Sequence, residues 1–206
     1  MSLAIRKEYI FDESEGEVTA DEFVDFLDLP ENKSKSYLLV DGYIVMMAGN
    51  ANINHHRISS YIAREIGNYL KGKPCEVFQD MNVYLFQESI GNCKNVFQPD
   101  LIVGCDREKM VLRGYEGPPE LIVEVTSKST ANYDYLVKTL HYMRAGVKEY
   151  WIVDLDRNQI VVYLNGGEEA PIIRSYTFED TISIGIFGDF SIDFKEILEI
   201  VDLSLK

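Results

Sequence analysis

The chain has 206 residues, of which 46% are hydrophobic and 26% charged, the balance of an ordinary folded globular protein and not of a disordered one. Its formal net charge of −14 is far from ordinary and by itself argues against a nucleic-acid-binding surface. No apolar run approaches the roughly 20 residues needed to cross a bilayer, and Met1–Phe11 lacks the basic start and apolar core of a signal peptide.

The charge is uneven along the chain. Residues 1–35 carry 10 acidic and 4 basic side chains, and residues 166–206 carry 9 and 3. Residues 36–165 carry 15 and 13, so the middle is close to neutral and has room for a basic strip. Cys75, Cys93 and Cys105 are an odd number without close spacing. They predict neither a disulfide framework nor a zinc site, and a cytoplasmic protein is expected.

In chain order, residues 1–18 form an acidic N-terminal arm, and 19–206 are expected to form a single domain. Thr19-Ala20-Asp21-Glu22 is a capping box, followed by the helical stripe Phe23, Val24, Phe26 and Leu27, which Pro30 ends. Tyr37–Val40 and Tyr43–Met47 flank Asp41-Gly42, the pair that a type I′ hairpin turn demands. Asn54–Leu70 reads as a helix, with Ile58, Tyr61, Ile62 and Ile66 on its apolar face. Strands follow at Cys75–Phe78, Met81–Phe86, Asp100–Val103 and Leu121–Val125, with Gln87–Asn95 as a loop. A second helix runs over Asn132–Arg144 with Gly146 as its stop. Glu149–Val153 and Ile160–Leu164 are strands, then comes a β-rich tail and a short helix over Asp193–Ile200. This order predicts an α/β (α+β) fold, a central mixed sheet flanked by helices.

Two carboxylates stand out. Asp100 opens a short apolar strand, and Glu124 lies inside Leu121-Ile122-Val123-Glu124-Val125. Alternation puts Ile122 and Glu124 on one face and Leu121, Val123 and Val125 on the other. A buried carboxylate needs compensation by a cation, a basic side chain or a metal. If the two strands are neighbours the acids converge, and an all-oxygen site suits Mg2+ or Mn2+. On the following helix Asp134, Lys138 and Tyr142 share a face at intervals of four. Lys138 either pairs with Asp134 on the surface or points over the sheet toward the acids. His56 sits at a helix start, either exposed or near a site.

Pro99-Asp100, Pro119–Val125, Ser127, Ser129-Thr130, Asp134, Lys138, Tyr142, Gly146-Val147, Glu149-Tyr150-Trp151 and Val153-Asp154 together resemble the Uma-two family. Tyr37, Asp41-Gly42 and His56 match as well, and the likeness covers roughly residues 19–200. These are restriction-endonuclease-like proteins of bacteria in the PD-(D/E)XK nuclease superfamily. The resemblance implies a restriction-endonuclease-like core, DNA as substrate and a Mg2+ or Mn2+ ion held by Asp100, Glu124 and the Val125 backbone carbonyl. It implies Lys138 as the catalytic lysine, because the superfamily's usual position, two after the Glu, holds Thr126. His56 becomes a possible accessory residue. Lys128, where relatives carry proline, becomes a rival lysine or a phosphate contact. Relatives often carry a Glu where this chain has Leu38, which removes one carboxylate.

The expectation is therefore a metal-dependent endonuclease, with a homodimer favoured if both strands of a duplex are cut. A nuclease fold that no longer cuts and serves as a binding module is the alternative. A two-carboxylate glycosidase lacks any sign of a sugar cleft. A structural protein would have Lys138 facing solvent, away from both acids.

Overall fold

A computed structural model describes residues 17–47, 51–86, 90–167 and 169–202, so most of the acidic arm lies outside the described residues. Helix α1 (Ala20–Asp28) begins at the predicted capping box: Thr19 N–H donates to Glu22 Oε2 at 2.8 Å, and Thr19 Oγ1 accepts from Glu22 N–H. Strands β1 (Ser36–Val40) and β2 (Tyr43–Met47) form the hairpin with Val40 opposite Tyr43. Asp41 and Gly42 have φ of 50° and 85°, the positive pair this turn requires. Helix α2 (Ile53–Tyr69) is capped by Asn52, whose side chain accepts from His55 N–H, and buries Ile58, Tyr61, Ile62 and Ile66 as the periodicity predicted.

The remaining strands are β3 (Glu76–Gln79), β4 (Val83–Tyr84), β5 (Val96–Phe97), β6 (Leu101–Gly104), β7 (Met110–Val111), β8 (Gly114–Glu116), β9 (Leu121–Thr126), β10 (Glu149–Asp154), β11 (Gln159–Gly166), β12 (Glu169–Tyr176), β13 (Thr181–Ser183) and β14 (Ser191–Asp193). They build two six-stranded sheets, ordered β12-β11-β10-β9-β6-β3 and β2-β1-β5-β4-β8-β7, beside the small pair β13-β14. The first is the predicted mixed sheet, parallel at β9–β10 and antiparallel elsewhere. The second is assembled from the hairpin and from two- and three-residue strands, too short to carry a periodic signal.

Strand β9 has a core on each side. Leu121, Val123 and Val125 join Ile58, Ile62 and Ile66 of α2 in one cluster, while Ile122 joins Tyr142, Tyr150 and Ile152 in the other. The alternation read from the sequence is thus the alternation of the sheet. The second long helix differs from expectation in its winding. Tyr133–Lys138 forms a wide π-helical stretch, in which Thr139 N–H donates to Asp134 O, before α3 (Thr139–Ala145) closes at Gly146 with φ of 95°. Such widened turns recur at functional sites. Helix α4 (Lys195–Ile200) ends the fold.

The cysteine reading is corrected. Cys75 and Cys105 form a disulfide across a sequence separation of 30 residues. They are brought together by pairing: Glu76 lies opposite Gly104 in β3–β6, and each cysteine is the next residue outward. Linear spacing carries no trace of that register. The disulfide also removes the ground on which a reducing compartment was expected.

Candidate active site

Strands β6 and β9 bring the two acids together. Leu101 lies opposite Val123, so one step further along the antiparallel register sets Asp100 across from Glu124. Asp100 Oδ2 accepts the Val125 N–H at 2.6 Å. N–H and C=O of one residue in an extended strand point the same way, so the Val125 carbonyl also faces the Asp100 side. Both carboxylates line a cavity of about 1190 Å3 between the start of α2, the β1–β2 hairpin and the turn after β9.

Lys138 points inward. Its Nζ lies 2.9 Å from Glu124 Oε2 and 2.9 Å from Asp134 Oδ1, and the residue is only 5% exposed. The sequence left a choice between Asp134 and the strand carboxylates as its partner, and the lysine takes both. Tyr142 completes the face by donating its hydroxyl to Glu124 Oε1 at 2.8 Å. Three buried or half-buried acids, Asp100, Glu124 and Asp134, thus face one ammonium.

The electrostatics follow from that imbalance. Burial pushes the Glu124 carboxyl up to about 8, against the pull of Lys138 and with the help of Asp100 and Asp134. Burial opposes the Lys138 charge, but Asp134 and Glu124 outweigh it and raise its pKa. With all three acids ionised the floor would carry surplus negative charge in a poorly solvated place, so Glu124 holds its proton to about pH 8 unless a further cation balances the site. Among the described residues no three His, Cys, Asp or Glu side chains are grouped closely enough to hold a metal ion. An ion such as Mg2+ needs no such group, because it takes one or two carboxylates and keeps several waters.

Two residues escaped the sequence reading. His55, and not its neighbour His56, contacts Asp100, with Nε2 3.1 Å from Oδ2. His56 lines the same cavity. The helical phase decides between adjacent histidines, and a one-residue error in placing the helix start reverses the choice. Burial disfavours a charged His55, yet the Asp100 hydrogen bond and charge outweigh it and leave its pKa raised. Asp80 is the other. It lines the cavity with φ of 51°, its backbone N–H donates to Asp100 O, and its backbone carbonyl accepts from Gln98 Nε2 at 2.9 Å. Burial and then the Asp100 charge push its carboxyl up. Nothing in its local sequence marks it.

Lys128 is exposed at the rim of the cavity and has no contact with the acids. Thr126, two after Glu124, is buried and shares a hydroxyl contact with Thr130 at 3.3 Å. Leu38 is buried and lines the same cavity as Asp100 and Glu124, where it presents methyl groups and no carboxylate.

A family model described as "Putative restriction endonuclease", Uma2, matches residues 23–195. The chain belongs to the Uma2 family. A curated relative from Synechocystis, an uncharacterized protein, is 27% identical over 172 residues, covering 82% of this chain and 87% of its own. A crystal structure from Anabaena variabilis, described as a "putative nuclease" of the DUF820 group, superimposes with a TM-score of 0.67 at 19% identity. It covers 88% of this chain and 98% of its own length, so this Uma2 chain shares that fold nearly end to end. No helix among the described residues is long and apolar enough to cross a membrane.

Proposed function

We propose that this Uma2 protein is a divalent-metal-dependent endonuclease that hydrolyses DNA phosphodiesters at the Asp100–Glu124–Lys138 constellation. One observation carries the reading: two carboxylates face each other across β6 and β9 at the floor of a cavity, and an inward lysine holds one of them. Membership of a restriction-endonuclease family supports it.

Asp100, Glu124 and the Val125 carbonyl are the groups that would hold Mg2+ or Mn2+. When bound, such an ion lowers the pKa of water and polarises a phosphate oxygen. The protein's own part is positioning. Val125 N–H and His55 fix the Asp100 carboxylate, and Tyr142 fixes that of Glu124. Lys138 is ion-paired with Glu124 and Asp134, and its ammonium would steady the attacking water or a phosphate oxygen. Water attacks phosphorus in line, the opposite P–O ester bond breaks, and the departing oxygen takes up a proton. A single site per chain cuts one strand, so cleavage of both strands of a duplex calls for a homodimer.

The test is a cleavage assay on supercoiled, linear and single-stranded DNA with Mg2+ or Mn2+, beside Asp100→Ala. Wild-type protein is expected to cut. The variant should lose activity by on the order of a thousandfold or more, the several kcal/mol that such a site supplies, together with most Mn2+ binding. A variant that cuts like wild type would sink the assignment. Leu38 supports a second reading, a nuclease fold that binds DNA without cutting. In that case no DNA form is cleaved by the wild-type protein, and Leu38→Glu is the variant with which to seek restored cleavage.

A further inference from the structure

The acid-rich floor explains how a phosphate would be cleaved but not how a chain of net charge −14 would hold a polyanion. We infer that Lys33, Lys35 and Lys128 form a cationic rim that grips the phosphate backbone of the strand entering the cavity. This rests on the DNA reading above and deepens it by assigning the contacts.

The three lysines line the mouth of the cavity from two separate stretches of chain, and all are exposed. Among the described residues none of their ammonium groups has a carboxylate partner, whereas Lys94 pairs with Glu17 and Lys148 with Glu120. Cations left unpaired at the mouth of an acid-floored cavity keep their full charge for a ligand.

Both stretches are built, not loose. Lys33 and Lys35 flank Ser34 in the turn between α1 and β1. That turn is anchored by buried Asn32, whose Nδ2 donates to Phe26 O at 2.9 Å and whose Oδ1 accepts from Tyr37 OH at 3.1 Å. Lys128 projects from the turn after β9, tied by Ser127 N–H to Thr130 Oγ1 at 3.2 Å and by the Ser127 and Ser129 hydroxyls at 3.0 Å. The hydroxyls of Ser34, Ser36 and Ser129 lie among the same lining residues and supply further donors for phosphate oxygens. Among the described residues the lining includes no Phe, Tyr or Trp, which favours backbone contacts over base stacking.

Backbone contacts release counterions, at about 0.7 to 0.9 ions per neutralised phosphate. Binding of a labelled oligonucleotide, single-stranded and duplex in parallel, is measured by anisotropy in EDTA from 50 to 300 mM salt. Wild type is compared with the triple alanine variant of Lys33, Lys35 and Lys128. A control triple variant carries alanine at Lys71, Arg174 and Lys195, exposed cations that do not line the cavity. The rim variant is expected to bind about tenfold more weakly at 50 mM salt, with a salt slope shallower by about 2 to 3, while the control stays near wild type. Equal losses in both variants, or wild-type binding by the rim variant, would overturn the assignment. So would a wild-type protein that binds neither oligonucleotide. The nuclease reading stands or falls separately on the cleavage assay: a protein that binds through the rim but never cuts keeps the rim and loses the endonuclease.

Discussion

Two glutamates in neighbouring strands show what separates a site from a scaffold. Glu124 in β9 and Glu149 in β10 are 3% and 0% exposed, and both sit in strands built mainly of apolar residues. Glu149 is satisfied by neutral donors: Trp151 Nε1 at 2.7 Å and the Ile186 backbone N–H at 3.0 Å. Those bonds pin the 184–187 turn against the sheet. Glu124 instead shares a lysine with Asp134, faces Asp100 and opens onto a cavity. Burial alone therefore identifies neither. What sets Glu124 apart is a cluster of ionisable groups beside space for a ligand, the kind of arrangement that perturbs pKa values and marks a candidate site.

The sharpest way to break this comparison is the paired substitution Glu124→Gln and Glu149→Gln. Both keep the shape of the side chain and replace one carboxyl oxygen by an amide nitrogen. Cleavage by the Glu124 variant should fall by about a hundredfold or more. The Glu149 variant should cut within a few-fold of wild type while losing about 1–3 kcal/mol of stability, because an amide cannot accept from both donors. Denaturant melts and single-turnover rates on both proteins decide it; equal loss of activity would erase the distinction.

Next in size is Lys138→Ala. Removing the ammonium leaves Glu124 and Asp134 without their cation inside the protein, a change that costs about 3–5 kcal/mol. Urea unfolding in EDTA would register it, and added Mn2+ should return part of the loss in proportion to occupancy of the site. An unchanged midpoint would mean that the lysine is solvated and the floor is not the closed network described above.

The last test is the pH dependence. Glu124 has a folded pKa of about 8, above the usual carboxylate value of 4.5. The folded state then binds the proton more tightly, so this contribution is full below about pH 4.5 and is lost as pH rises through 8. His55, whose pKa is also raised, acts in the same direction. Thermal melts of the metal-free protein should show its Tm declining from pH 5 to 8.5, and Glu124→Gln should flatten that decline. A wild-type Tm that climbs over this range would contradict the surplus-charge account.

Local patterning carried much of the fold. The capping box of α1, the Asp41-Gly42 turn and the two faces of β9 all follow from rules that act within a few residues, and each appears where the chain spells it. The rest of the second sheet is less legible, because β4, inside the predicted Met81–Phe86, and β5 and β7 are two residues long and owe their form to partners distant in the chain. The Cys75–Cys105 bond and the role of Asp80 are hidden for the same reason.

The amino-acid order alone determined that Asp100 and Glu124 stand at strand positions where a carboxylate needs an explanation, and that Lys138 shares a helical face with Asp134 and Tyr142. Whether these groups meet was decided by strand register and helix docking. Helix phase and docking put His55 and not His56 on Asp100 and sent Lys138 inward while Lys128 stayed at the rim, and the fold around β10 made Glu149 a structural fastener although it lies in a similar strand. Short-range sterics and hydrophobic periodicity are encoded residue by residue, but the charge environment of a side chain is a sum over neighbours that only the folded chain assembles.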